Sequence, residues 1–112
     1  MELKIREEKL EVELADNIYT RAKGLAFRKE GKMLFKFPRE TRAKIDMMFL
    51  SRPLHLYFLN SEKEVINVQE AEPWSFNPKT WNLYSPDRPY RYLLESFENL
   101  GLEEGDGVEF DL

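Results

Sequence analysis

Asp46, His55 and Glu95 form the one acid–base set that this 112-residue chain offers. A carboxylate and an imidazole move protons when both come within hydrogen-bond reach of one substrate or of each other. On that chemistry the three residues would support a hydrolase- or isomerase-like activity. Nothing accompanies them, however. No dinucleotide or P-loop glycine run, no HExxH helix and no GxSxG elbow occurs in the sequence. The single histidine rules out a multi-histidine metal centre, and the lack of cysteine rules out thiolate ligands and disulfides. No metal or cofactor is therefore expected. His55 reads more readily as a strand imidazole bonded to a neighbour than as a catalytic base. Glu95, next to Ser96, is expected to bond backbone or to pair with an arginine such as Arg28.

A second group of residues is suited to binding. Trp74, Phe76, Trp81, Tyr84 and Tyr90 fall in a stretch stiffened by Pro73, Pro78, Pro86 and Pro89. Flat rings held in few arrangements lose little entropy on contact, and they suit a small molecule, a glycan face or a protein partner. The competing reading folds the stretch back as a lid with Trp74 and Trp81 packed on a sheet, and for those two rings it is the favoured one. Arg39, Arg42 and Lys44 make a small basic group that reads as a wet sheet face. Gly101 and the Gly105-Asp106-Gly107 run are turn residues, too short and wrongly spaced for a calcium loop.

The elements that must position these groups follow from period-two patterning. Residues 54–59, LHLYFL, are apolar on both faces, as expected of a strand covered on two sides. Asn60-Ser61-Glu62-Lys63 turns the chain, and β-branched residues in 64–68 return it, so a central hairpin is predicted. Leu3 and Ile5, then Leu10, Val12 and Leu14, predict an opening hairpin. Asp16 or Asn17 caps a short helix over 18–23, with Ile18, Ala22 and Leu25 on one face and Gly24 just past its end. Residues 33–37 read as a strand stopped by Pro38, and 43–49 as its partner across the turn. Residues 72–90 form a long loop, and 90–95 a strand. A capped turn over 96–100 and a final strand over 108–112 complete the chain. The pattern predicts one mainly β domain spanning 1–112: a compact antiparallel sandwich or barrel of jelly-roll-like type with one or two short helices.

Seventeen basic against 21 acidic residues give a formal charge of −4, which argues against a nucleic-acid binder working by attraction to phosphate. No run approaches the roughly 18 apolar residues that span a bilayer, and the charged N-terminus holds no leader core. A soluble cytoplasmic protein, monomer or homodimer, is expected. Its Lys/Glu richness and lack of cysteine lean towards a thermophile-like composition.

Several motifs then fall in order: Arg21-Ala22-Lys23-Gly24-Leu25-Ala26-Phe27-Arg28, Gly31-Lys32-Met33-Leu34-Phe35, Pro53-Leu54 with Phe58, Leu94-Glu95 and Gly105-Asp106. Together they resemble the domain-of-unknown-function 192 family over about residues 17–110. The resemblance implies a compact, mostly β domain and carries no established activity. Many members resemble exported proteins with an N-terminal signal or anchor. Two departures stand out. Asp46-Met47-Met48-Phe49-Leu50 takes the place of the family's tryptophan-methionine-lysine-asparagine-threonine block, and His55 stands where an acidic residue is usual. A polar site built on that block in relatives is here lost or rebuilt. The reading that best fits the whole sequence is a non-catalytic β domain that binds a small molecule, glycan or protein partner through the aromatic, proline-rich loop 73–90. An enzyme built on Asp46, His55 and Glu95 is one alternative, and a structural, homodimerising protein is another.

Overall fold

A computed structural model describes residues 1–112, apart from the side chains of Ile18, Tyr19 and Ala22. The strands are β1 (Glu2–Ile5), β2 (Glu8–Glu11), β3 (Glu13–Ala15), β4 (Lys32–Thr41), β5 (Leu54–Leu59), β6 (Val65–Ala71), β7 (Tyr90–Ser96) and β8 (Val108–Glu109). One helix, α1 (Ile18–Lys23), follows β3, and a 3₁₀ turn (Pro78–Thr80) sits in the long loop. Two sheets result: a three-stranded one in the order β2-β1-β8 and a five-stranded one in the order β3-β4-β7-β5-β6. All pairs are antiparallel except β3 with β4, which run parallel. The five-stranded sheet keeps two free ends, so the packing is sandwich-like and no barrel closes.

The two-sided pattern of 54–59 sets the layering. Leu54, Leu56 and Phe58 enter one buried cluster, with Met33, Phe35, Met47 and Leu93, while Tyr57 and Leu59 enter the other. The small sheet covers the second face through Leu3, Ile5 and Val108. Helix α1, residues 43–50 and the loop 72–89 cover the first, where Ile45, Leu50, Trp74 and Tyr84 pack against the core. Each fully buried Leu or Phe contributes about 1.5–3 kcal/mol relative to exposure, so filling both faces of one sheet anchors the whole domain.

The helix forms where the capping residues placed it. Asn17 Oδ1 accepts from the Thr20 backbone N–H at 3.0 Å, and Gly24 ends it in the left-handed region at φ 52°. Of the three residues expected on its inner face, Leu25 is buried in the core; Ile18 and Ala22 lie outside the described side chains.

Some expected elements differ. Pro38 does not stop the strand: β4 runs through it, and the pairing with β7 shifts between Lys36 and Thr41. A proline without an N–H is tolerated where the ladder is already irregular. Residues 43–49 form no strand, and only an isolated bridge joins Ile45 to Tyr84. The alternation there instead dips Met47 into the core from an extended covering segment. Strand β5 is interior, but β7 takes the middle of the sheet. No helical turn follows β7, because Ser96 Oγ accepts from the Glu98 N–H and bends the chain locally. The last strand is two residues long.

Candidate functional site

Between α1 with its following turn and residues 43–50, the covering layer leaves a cleft of about 420 Å³ over the five-stranded sheet. Its floor and walls are largely apolar: Leu25, Phe35, Phe37, Ile45, Leu50 and Leu54. Glu95 enters it from β7. That residue sits opposite Met33 on β4 and Leu56 on β5, both members of the cluster beneath the cleft, so it projects to the same face. Gly24 borders the same cleft and leaves room for the Phe35 ring: a Cβ on it would stand a tight 3.2 Å from that ring, with Glu95 Oε1 at an ordinary 3.8 Å, on a backbone already at positive φ.

Glu95 is the unusual group. It is 4% exposed, and its side-chain carboxyl makes no hydrogen bond or ion pair with any described residue. No fully buried side-chain oxygen among the described residues lacks a partner. The small accessible part of Glu95 therefore includes its carboxyl oxygens, which open into the cleft. Burial, with the charge of Asp46 adding to it, pushes its carboxyl up to about 8. The protonated form is thereby favoured. The pairing with Arg28 expected from sequence is not formed, because that guanidinium reaches Glu13 at 2.5 Å instead.

Asp46 stands exposed at the cleft wall, held by the Met48 N–H that its Oδ1 accepts at 3.1 Å. Arg21, Lys23 and Lys44 also border the cleft. The Arg21 guanidinium is engaged elsewhere: it donates to the Lys36 carbonyl at 3.1 Å and lies 5.5 Å from the centre of the Phe37 ring. Phe49 lines the cleft and stacks on Phe27, outside the lining, at 4.8 Å with planes 19° apart. They are 60% and 75% exposed, both adopt φ 65°, and the Phe27 N–H donates to the Phe49 carbonyl. Bulky residues rarely take that conformation, and a site that holds two of them spends folding energy to do so.

The acid–base set is split. Asp46 and Glu95 share the cleft, but His55 does not border it. On β5 it alternates with Leu54 and Leu56, so it points to the face of Tyr57 and Leu59. The aromatic set is split as well. Tyr90 is fully buried, edge-on to Phe58 and Phe37, and its hydroxyl donates to the Ala43 carbonyl at 2.7 Å. Tyr84 is half-buried and its hydroxyl accepts from the Glu72 N–H. Trp74 packs half-buried against the core and stacks on Trp81 at 6.0 Å; their indole N–H groups donate to the Asn82 and Ser75 carbonyls respectively. Trp81 remains 53% exposed and Phe76 is wholly so, beside the exposed Leu83. Sequence reasoning named Gly24, Phe27 and Phe49 as a helix end and as family-motif positions, but not as site residues; the motif positions were the signal that could have found them.

Among the described residues, no group of three or more His, Cys, Asp or Glu side chains is placed to hold a metal ion. No helix among them is long and apolar enough to cross a membrane.

The architecture defines a small two-sheet β domain with one cleft under its covering layer, and this class has known members. The chain belongs to the DUF192 family, described as Uncharacterized ACR, COG1430, whose model matches residues 1–110. It is 37% identical over 113 residues to a UPF0127 protein of Pyrococcus furiosus, spanning 95% of this chain and 91% of that one. In fold it is similar to a solved protein of unknown function from Novosphingobium aromaticivorans, with TM-score 0.81, 24% identity and coverage of 97% and 84% of the two chains. A Sinorhizobium meliloti structure described as a candidate transcription regulator aligns at TM-score 0.84 and 25% identity, over 96% and 91%. Residues that carried the family resemblance in sequence, among them Arg21, Gly24, Leu25, Phe35, Leu54 and Glu95, converge on the cleft.

Proposed function

We propose that this protein is a non-catalytic small-molecule-binding domain whose ligand lies in the cleft over Glu95. One observation carries the reading: a carboxyl group nine-tenths buried, without a protein partner, opens into a cavity of ligand size. A buried polar group left unpaired costs about 1–3 kcal/mol, and a ligand that satisfies it recovers that cost. The mostly apolar wall with a few convergent polar groups is the usual composition of such sites. A catalytic reading on the full set of Asp46, His55 and Glu95 loses its imidazole to the other face of the sheet. The candidate-regulator description attached to the Sinorhizobium structure is compatible with ligand sensing, whereas a net charge of −4 gives no attraction to phosphate.

A second reading rests on the exposure of Phe76, Trp81 and Leu83, which makes the loop 72–89 a surface for a glycan or a protein partner. One experiment separates the two. A fragment library is titrated into isotope-labelled protein and the amide resonances are followed. Binders that move Gly24, Leu25, Asp46 and Leu50 support the cleft. A library whose binders all move residues around Phe76 and Trp81, and none in the cleft, overturns it in favour of the loop.

A further inference from the structure

We propose that the cleft takes a small primary ammonium ion, nitrogen inward between Glu95 and Asp46, with its hydrocarbon part against the ring of Phe49. This rests on the cleft reading above. Two carboxyl groups border one apolar cavity. The inner one has no donor at all, and the outer one receives only the Met48 N–H. Once ionised, both carboxylates are acceptors only, a lack that an ammonium, with three N–H groups, fills. A cation between the two also offsets the repulsion that ionising Glu95 beside Asp46 creates, which a neutral hydroxyl does not. The exposed Phe49 ring in the lining, stacked on Phe27, offers an aromatic surface, which attracts cations and covers alkyl carbons alike.

The charged groups around Glu95 fit this polarity. From α1 come Arg21 and Lys23, from 43–50 come Lys44 and Asp46, and on its own strand stands the Tyr90 hydroxyl. Of these, Asp46 is the one whose charge acts on Glu95, and it acts to raise it; no cation offsets the effect of burial. Arg21, Lys23 and Lys44 line the same cleft without lowering the Glu95 carboxyl, and a ligand with an ammonium head and an anionic tail would engage both sets.

The binding step is a proton exchange. The carboxylic acid of Glu95 loses its proton to solvent as the ammonium arrives, and the carboxylate then pairs with it. A carboxyl raised to about 8 is largely protonated near neutral pH, so most of a proton leaves per ammonium bound. Affinity then rises up to tenfold per pH unit below 8 and levels off above it.

The probes are butylammonium, butanol and butyrate, which share a chain and differ in head group. Each is titrated into the full chain by calorimetry in two buffers of different ionisation enthalpy and by amide resonance mapping. Butylammonium is expected to move the cleft amides and release close to one proton, with the other two binding at least tenfold more weakly. Glu95→Gln should abolish the proton release and weaken butylammonium tenfold or more. Asp46→Asn, at an exposed position, should weaken it about threefold and keep the fold. Butanol binding in the cleft as tightly as butylammonium, without proton release, overturns the ammonium assignment and leaves the cleft standing. Failure of all three probes to move any cleft amide overturns the cleft itself.

Discussion

Glu95 links the site to stability through its proton. Its folded-state value of about 8 lies well above the roughly 4.3 of an unfolded glutamate, so between those limits the folded chain binds more protons than the unfolded one. Stability contributed by the protonated form is complete below about pH 4 and is lost as pH rises towards 8. Glu95→Gln keeps a neutral group of the same shape. The variant should match the parent in thermal melts near pH 4 and exceed it by a few kcal/mol near pH 9. Equal pH profiles for the two proteins would show that Glu95 is not the titrating group. Tyr90 makes the opposite kind of buried contact, because its hydroxyl has a partner. Tyr90→Phe leaves the Ala43 carbonyl without that donor and should cost about 1–3 kcal/mol in denaturant unfolding. Gly24 is a third case. Gly24→Ala meets both positive φ and the Phe35 ring, so a lowered melting temperature is expected together with loss of ligand shifts in the cleft.

At the scale of elements, the loop 72–89 is neither wholly lid nor wholly platform. Its prolines and a chain of side-chain bonds, including Ser75 and Asn77 to the 3₁₀ turn, fix the backbone. One face of that backbone delivers Trp74 and Tyr84 to the core, and the other leaves Phe76 and Trp81 in water. Single-tryptophan variants should therefore differ. Acrylamide is expected to quench the retained Trp81 strongly and the retained Trp74 weakly. Trp81→Ala should cost about 1 kcal/mol or less and Trp74→Ala about 2–3 kcal/mol, read from denaturant midpoints. Two tryptophans equally accessible to quencher would contradict the packing of Trp74. The segment 43–50 behaves in a similar way: Met47 is driven inward, while Asp46, Met48 and Phe49 stay at the surface and shape the cleft.

For the molecule as a whole, the five-stranded sheet with cover on both faces is what holds the parts in register. Phe58 is fully buried in the cluster under the cleft, so Phe58→Ala should cost about 3–5 kcal/mol in equilibrium unfolding. A midpoint left unchanged by that substitution would place the ring outside the core. The same substitution removes support from Tyr90, which meets Phe58 edge-on at 4.8 Å, and through it from the floor of the site. Stability and ligand affinity should fall together in this variant, unlike in Asp46→Asn.

The sequence by itself determined the β class, the short capped helix, the 54–59 hairpin and the burial of Leu54, Leu56 and Phe58. Those follow from local alternation, capping and turn chemistry, which act over a few residues. The same signals misled where two structures share one period. Residues 43–49 alternate as a strand does, yet they form a covering segment because no strand edge pairs with them beyond a single bridge. Leu94 is buried in the cluster on the face opposite Phe58, and its side is set only once the β7 register is known. Only the tertiary structure decided that Asp46 and Glu95 meet while His55 turns away. Their separation in the chain carries no information about facing. The face of each strand residue is set by which strands pair and in what register, and pairing is settled by the burial of both sheet faces together.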